Sequence, residues 1–268
     1  MPDKKTKVTR IIEIFLSLGI PAAGYIYAGG AFNDRLLFWR IPLILFAAWH
    51  VICINDESFA ENSSLKSIFL GHENKIEALF IPFLIIVTLP GAPLFNFLIL
   101  LTMLNWDIYS ISGKRAWAAG LLHNFAGGAL HFFIGTAAAT PAGYADFRQF
   151  AVPALFFAFM MASGGMHHDS YDKDEDQSLG YETGAVRFSP DKWWRLAALP
   201  FLAGTALLFF CDDIFRKAFI LPAVVYIIAY SATVVKKNPS HSKYFRTICR
   251  LSFICAAILF FLLKKQYF

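Results

Sequence analysis

Charged residues are scarce in this chain of 268 residues. Asp, Glu, Lys and Arg together make up only 16% of it, and 57% is hydrophobic. Because soluble domains typically carry about a quarter of their residues as charged side chains, this composition excludes an ordinary soluble enzyme. The net charge of +5 is small and spread along the chain, so we expect no nucleic-acid partner.

Cysteine and histidine are also few. Their spacing argues against a disulfide or cysteine-metal centre and against a histidine-ligated metal oxidase. No two cysteines form a C-x-x-C motif, so we predict buried free thiols rather than disulfides or a metal centre. The seven histidines form none of the H-x-x-x-H boxes that membrane desaturases and hydroxylases use, so the adjacent His167 and His168 do not indicate such an oxidase. The four cysteines lie in or at the ends of apolar runs: Cys53, Cys211, Cys249 and Cys255.

Long apolar runs fill most of the chain, and they are continuous rather than alternating. Runs of about twenty residues match the thickness of a bilayer, and continuous runs favour helices over the strands of a barrel. We therefore predict an all-α fold: a polytopic membrane bundle of about nine helices, forming a single domain over residues 1–268. The predicted spans are 11–30, 36–54, 76–90, 94–110, 116–137, 149–166, 193–210, 216–235 and 247–263.

Basic residues are distributed unevenly over the segments that connect these spans. If the N-terminus is cytoplasmic, seventeen of the 24 Lys and Arg residues fall on the cytoplasmic side, as the positive-inside rule requires. We therefore predict an integral membrane protein with a cytoplasmic N-terminus and two cytoplasmic motif loops, at about 55–75 and 167–192. Arg40, early in the second span, is expected to extend outward to the lipid headgroups.

One polar stretch, residues 167–188, interrupts this apolar background. Six of the nineteen acidic residues lie within the sixteen positions that begin at Asp169. Asp169, Asp172 and Asp176 are spaced i, i+3, i+7, which places them on one face of a helix. Carboxylate oxygens suit Mg²⁺, which binds through one or two carboxylates together with substrate phosphates. A solvated acidic loop would have the same composition, so this stretch alone leaves both interpretations open.

A second acidic patch, Asn55-Asp56-Glu57, lies at the end of the second predicted span and on the same predicted side of the membrane. Two facing clusters would hold Mg²⁺ ions that bridge a diphosphate. A neutralised diphosphate is a better leaving group, and the carbocation that its departure creates would be stabilised by aromatic faces. The basic residues that would balance the remaining phosphate charge are Lys114 and Arg115, with Lys66 or Arg187 as further candidates.

The acidic stretch resembles the second aspartate motif of the UbiA superfamily of intramembrane prenyltransferases. The residues that match this motif are Asp172-Lys-Asp-Glu-Asp176, then Gly180 and Ala185-Val-Arg-Phe188. This part of the resemblance is the most specific, and the nine predicted spans fit the same family.

Two shorter segments add to the resemblance. Asn55-Asp56 is similar to the start of the first motif of the family, N-D-x-x-D-x-x-x-D. Tyr109 followed by Lys114-Arg115 looks like the Tyr…Lys-Arg turn that follows the fourth helix of the family. Each of these matches is weak by itself, but together with the second motif they extend the resemblance over nearly the whole chain.

The resemblance implies a helical bundle around a central cavity, and Mg²⁺-dependent transfer of an isoprenoid chain from its diphosphate to an aromatic or other lipophilic acceptor. The implied partners are a prenyl diphosphate and membrane lipid. The implied catalytic residues are Asn55, Asp56, Asp172 and Asp176. The implied metal ligands are Asn55, Asp56, Glu57, Glu61, Asp169, Asp172 and Asp176, and the implied diphosphate-binding residues are Tyr109, Lys114, Arg115 and Arg187.

This chain departs from the family pattern in both motifs. Phe59 and Ser63 occupy the positions of the later aspartates of the first motif. Glu57 and Glu61 are spaced i, i+4, and we hypothesise that this shifted pair replaces the missing aspartates. The family carries a basic residue soon after the glycine of the second motif, where this chain has Tyr181-Glu182, so we expect a rearranged diphosphate site.

Three classes of function therefore remain open. A prenyltransferase is the leading interpretation, and Asp107, close to the basic turn, is a candidate base on the acceptor side. A terpene cyclase of the same superfamily would ionise the same substrate without an acceptor, and a variant first motif also occurs there. A transporter or an inactive homologue is the third class, although transporters more typically show paired repeats with broken helices.

Overall fold

The structure is a computed structural model, and it describes residues 18–30, 37–59, 93–111, 113–140, 147–236 and 242–265. This part of the chain is helical and contains no strand, which confirms the all-α prediction. The helices in chain order are α1 Gly19–Tyr27, α2 Leu37–Phe59, α3 Pro93–Ile111, α4 Trp117–Ala139, α5 Phe147–Ser178, α6 Gly184–Phe188, α7 Pro190–Leu196, α8 Ala198–Leu207, α9 Asp213–Lys236 and α10 Ser242–Lys265. Short 3₁₀ turns lie at Gly113–Arg115 and Leu208–Phe210.

Four of these helical segments are long and apolar enough to cross a membrane. They are Arg148–Ser178, Pro190–Phe210, Asp213–Val234 and Thr247–Lys265. Helices α2, α3 and α4 also follow the predicted spans 36–54, 94–110 and 116–137 closely, whereas the predicted span 76–90 lies outside the described residues. The architecture is therefore that of a polytopic helical membrane protein, as the apolar runs predicted.

The chain divides into two compact units. The first comprises residues 1–112 and 133–145, and the second comprises residues 113–132 and 146–268, so that α4 contributes to both. In the first unit, Arg40 does not extend to the headgroups as predicted. It is buried, donates a hydrogen bond from Nη1 to the carbonyl oxygen of Ala138, and lies 5.9 Å from the ring centroid of Phe95. A buried backbone acceptor and an aromatic face replace the lipid headgroups as its surroundings.

The second unit has an aromatic core. The rings of Phe215 and Phe219 of α9 stack with centroids 4.4 Å apart, and Phe156 of α5 and Phe260 of α10 pack against them. All four side chains are almost completely buried. Large aromatic side chains dominate core energetics in this way, and here they join the helices that precede and follow the acidic stretch.

Helix α5 continues well beyond the predicted end of its span at residue 166. No proline or glycine interrupts the chain between Gly165 and Gly180, so the apolar helix extends without a break through the first half of the acidic stretch. The segment that was predicted as a cytoplasmic loop, 167–192, is therefore helical as far as Ser178, and α6 and the start of α7 follow. The acidic residues stand on a helix rather than on a loop.

Candidate functional site

The carboxylates at the acidic end of α5 differ in how deeply they are buried. Asp176 is buried, with 4% of its surface exposed, and Asp169 and Asp172 are half-buried. Asp174 and Glu175, which lie off the i, i+3, i+7 face, are exposed. The structure thus keeps the three predicted residues on the protected side of the helix, where a bound cation would be shielded from water.

Two of these carboxylates have a defined partner. Nδ1 of His168 lies 2.8 Å from Oδ2 of Asp172, one helical turn away. Nε1 of Trp193 in α7 donates a hydrogen bond of 3.1 Å to Oδ2 of Asp169. A carboxylate held by a directed hydrogen bond is restricted in its rotamer, which is how outer groups orient metal-binding carboxylates.

Lys114 places a positive charge near these three carboxylates. Its side chain is buried, with 7% exposed, although it belongs to the 3₁₀ turn Gly113–Arg115 that precedes α4. Burial lowers the pKa of Lys114 from 10.5 to about 8, and the attraction of nearby carboxylates opposes this without cancelling it. Those carboxylates, in order of their effect, belong to Asp176, Asp169, Asp172 and Glu175. One ammonium therefore lies in the field of the predicted metal-binding face.

A tight connection between two turns places Lys114 there. The backbone N–H of Glu182 donates a 3.1 Å hydrogen bond to the carbonyl oxygen of Lys114, and the ammonium lies 5.6 Å from the ring centroid of Tyr181. Tyr181-Glu182 stands where the family pattern carries a basic residue. In this chain the same two residues dock the turn that carries Lys114, so a lysine from another segment lies next to the second motif.

Two glycines of the acidic stretch allow the chain to turn at the end of α5 and then to pack closely against α7. Gly180 has φ +72°, a conformation that glycine adopts without steric cost. The N–H of Tyr181 then bonds to the carbonyl of Asp176 at 2.9 Å and the N–H of Gly180 to that of Gln177 at 3.2 Å, which is a Schellman end for α5. Four residues later, a Cβ on Gly184 would overlap the ring of Trp193, so only glycine permits this close approach.

Of the three predicted diphosphate-binding residues that belong to the second unit, two are exposed at the surface. Arg187 is exposed, and its Nη1 faces Oε2 of Glu182 at 3.9 Å. Arg115 is exposed, in contrast to its buried neighbour Lys114. Tyr109 belongs to the other compact unit, where its ring contacts that of Trp106 at 5.5 Å. Lys114 is therefore the predicted basic residue that the second unit brings to the carboxylates.

The first motif falls largely outside the described part of the chain. Helix α2 extends through Asn55, Asp56 and Glu57, but the side chains of these three residues lie outside it, as does all of Glu61. In the same unit, the candidate base Asp107 is buried beside His50, whose Nε2 lies 3.2 and 3.3 Å from its two carboxylate oxygens. The prediction of a facing acidic cluster stays a prediction.

The residues of the second unit fit a magnesium ion that also binds substrate phosphates. Within the described ranges, no three His, Cys, Asp or Glu side chains come together closely enough to enclose a metal. Mg²⁺ is commonly held by only one or two carboxylates plus substrate phosphates, and Asp172 and Asp176 offer this donor type. His167, by contrast, is a packing residue: its Nε2 lies 2.9 Å from the hydroxyl of Tyr226, and its ring contacts those of Trp194 and Phe245.

Sequence reasoning missed two residues of this site, Trp193 and His168. His168 precedes Asp172 by four positions, so helical spacing could have paired them. Nothing in the spacing of Trp193, twenty-four positions after Asp169, indicates the contact, since it depends on how α7 packs against α5. Cys211, Cys249 and Cys255 are free thiols, as predicted, but only Cys211 is buried: Cys249 is half-buried and Cys255 is exposed. The side chain of Cys53 lies outside the described residues.

No family model and no curated protein sequence matches this chain. Its structure, however, is similar to several solved structures. A digeranylgeranylglyceryl phosphate synthase has a TM-score of 0.67 at 13% identity, with 95% of both chains covered. A UbiA homologue from Archaeoglobus fulgidus bound to Cd²⁺ has a TM-score of 0.65 at 14% identity, covering 94% of this chain and 97% of that one. The same homologue bound to GPP and Mg²⁺ has a TM-score of 0.63 at 13% identity, with the same coverage. The chain therefore has the same helical fold as these proteins, which is the fold that the resemblance to the UbiA superfamily implied.

Proposed function

We propose that this protein is a Mg²⁺-dependent intramembrane prenyltransferase, which moves an isoprenoid chain from a prenyl diphosphate to a lipophilic acceptor. The observation that carries the proposal is the position of Lys114, a buried ammonium in the field of the carboxylates of α5. A site with several carboxylates and one buried cation suits a ligand that is itself anionic and binds divalent cations. The structural similarity supports this choice, because the UbiA homologue from Archaeoglobus fulgidus is bound to GPP and Mg²⁺ in one structure and to DMAPP and Mg²⁺ in another.

Each residue of the site has its own role in the ionisation of a prenyl diphosphate. Asp172 and Asp176 would hold Mg²⁺, and the bound ion would supply positive charge to offset that of the leaving diphosphate. Lys114 binds a diphosphate oxygen directly, and because it is largely shielded from water its interaction with that oxygen is strong. His168 holds the carboxylate of Asp172 in place. Together these groups favour departure of the diphosphate from the allylic carbon.

A terpene cyclase is the second candidate, and the altered first motif favours it. Phe59 and Ser63 replace two of the aspartates that the family uses there, and the cyclases of the superfamily also tolerate variation in this motif. A cyclase and a transferase share the ionisation step, so the carboxylates and Lys114 serve both. They differ in whether a second substrate captures the carbocation.

One assay separates the candidates. Purified protein in lipid nanodiscs is incubated with geranyl, farnesyl or geranylgeranyl diphosphate, with Mg²⁺ or with EDTA, and pyrophosphate and organic products are quantified. The acceptors tested are an aromatic lipid precursor and geranylgeranylglyceryl phosphate, the latter because one similar structure is named for a product of that type. The double variant D172N/D176N provides the background.

We expect Mg²⁺-dependent pyrophosphate release that requires an acceptor and yields a prenylated product. Release without an acceptor, with formation of a cyclic hydrocarbon, would establish the cyclase instead. If no diphosphate is consumed with any acceptor while the protein remains folded, both enzymatic functions are wrong.

A further inference from the structure

Trp193 connects the acidic face of α5 to α7, and both helices belong to the second unit. Its indole Nε1 donates a 3.1 Å hydrogen bond to Oδ2 of Asp169, and its side chain is 97% buried. Asp169 is not one of the two aspartates of the Asp172-x-x-x-Asp176 motif. It precedes Asp172 by one helical turn on the same face. The carboxylate at this position therefore has a dedicated donor from another helix.

The ring of Trp193 is held from several sides. Trp117 meets it edge-to-face with centroids 5.8 Å apart, and Phe188 stacks on it at 5.7 Å. Gly184 lies so close that a Cβ would overlap the indole. Met166 and Ala185 belong to the same buried cluster. An indole fixed in this way directs its N–H at one point, and that point is Asp169.

We propose that Trp193 is a positioning residue for metal binding: its indole N–H fixes the carboxylate of Asp169 so that Asp169 supports Mg²⁺ at the diphosphate site. This inference rests on the proposed function, in which the acidic face of α5 holds the metal. A carboxylate accepts about four hydrogen bonds or metal contacts, and the indole uses one of them, at Oδ2. The other oxygen remains available in a restricted orientation, which is the usual role of a group behind a metal ligand.

The neighbouring Trp194 shows that this role is not a general property of buried tryptophan here. Trp194 is also buried, with 8% exposed, and stacks on Tyr230 at 4.7 Å and against Phe245 at 5.4 Å. Among the described residues, however, its Nε1 has no hydrogen-bond partner. The two residues have the same volume and similar burial, and only Trp193 donates to a carboxylate. W194F is therefore a matched control for W193F.

The test measures metal binding directly, without turnover. Mn²⁺ is titrated into the full-length protein in nanodiscs with inorganic pyrophosphate, and free Mn²⁺ is followed by electron paramagnetic resonance. We expect W193F to weaken Mn²⁺ binding by roughly tenfold, the lower end of the usual effect of losing such a partner, and W194F to change it by less than about twofold. In the D169N background, W193F should have no further effect, because the carboxylate through which it acts is absent.

Equal losses in W193F and W194F, or an effect of W193F that persists in D169N, would overturn the inference. If W193F does not fold, the wild type still provides a test by NMR of ¹⁵N-indole groups. Adding Mg²⁺ and pyrophosphate should move the resonance that also shifts in D169N, and an unmoved resonance would count against the proposal.

These measurements test the positioning role of Trp193 and the transferase activity separately. If W193F alone weakens Mn²⁺ binding but no prenyl diphosphate is consumed by the wild type, the metal site stands and the transferase does not. If turnover is normal and Mn²⁺ binding is the same in W193F and the wild type, the transferase stands and the positioning role does not.

Discussion

Replacing Lys114 by methionine should lower activity strongly without destabilising the protein. Methionine keeps a long unbranched side chain in the buried position and removes the charge. In catalysis, the loss of one charge-assisted contact to the diphosphate corresponds to about 2–3 kcal/mol, or roughly 30- to 150-fold in kcat/KM. The exposed neighbour Arg115 provides the control, because R115M should lose less than about threefold if surface charge contributes little.

K114M should leave the folded protein at least as stable as the wild type, although it lowers activity. Below its folded pKa of about 8, Lys114 is held as an ammonium in surroundings that disfavour the charge, whereas the unfolded chain holds it in water. At about 1.4 kcal/mol for each pH unit, a pKa lowered from 10.5 to about 8 corresponds to roughly 3 kcal/mol against the charged form. This penalty is present at neutral pH and disappears as the pH rises from about 8 towards 10.5, where the unfolded chain loses its proton as well. K114M removes the penalty at every pH.

Thermal unfolding of the metal-free protein in nanodiscs, together with kcat/KM for a prenyl diphosphate, tests both effects. We expect K114M to unfold at the same temperature as the wild type or a few degrees higher, with the loss of activity given above. A buried charge that costs stability and supports activity is typical of a functional site. A large drop in unfolding temperature in K114M would show that Lys114 acts as a structural counter-ion, and full activity would show that it does not bind the diphosphate.

Three further results follow from the geometry of the site. D172N and D176N should each lower turnover by at least about 100-fold, the scale expected when a charge-stabilising group is removed, whereas D174N, on the exposed side of the same helix, should retain near-wild-type rates; equal losses in all three would refute the assignment of the buried face. G180A should lower the unfolding temperature, because φ +72° costs a residue with a Cβ about 1–2 kcal/mol, and G180N should recover part of the loss; an unchanged melting curve for G180A would contradict this turn. Finally, KM for the prenyl diphosphate should increase as the pH rises through about 8, where Lys114 loses its charge, and in K114R it should stay flat, since arginine keeps its charge; parallel profiles would assign the titration to another group.

The sequence predicted correctly what depends on composition and local spacing. The shortage of charge and the continuous apolar runs predicted a helical membrane protein, because a bilayer requires every backbone polar group to be satisfied within a helix or a closed barrel. The i, i+3, i+7 spacing placed Asp169, Asp172 and Asp176 on one face for the same local reason. Helix α5 continues about twelve residues beyond the predicted span 149–166, since hydrophobicity marks where a span ends and not where a helix does.

The identities of the residues around those carboxylates depended on contacts between distant segments. Lys114 and Arg115 are adjacent basic residues in one turn, and only the packing of Tyr181 and Glu182 against that turn buries one and exposes the other. Trp193 lies twenty-four positions from Asp169, a separation without meaning for a helix. The sequence by itself therefore determined the class of protein and the acidic face of α5. Only the tertiary structure decided which cation and which hydrogen-bond donor face it, because those choices depend on how separate helices pack and not on the spacing within any one of them.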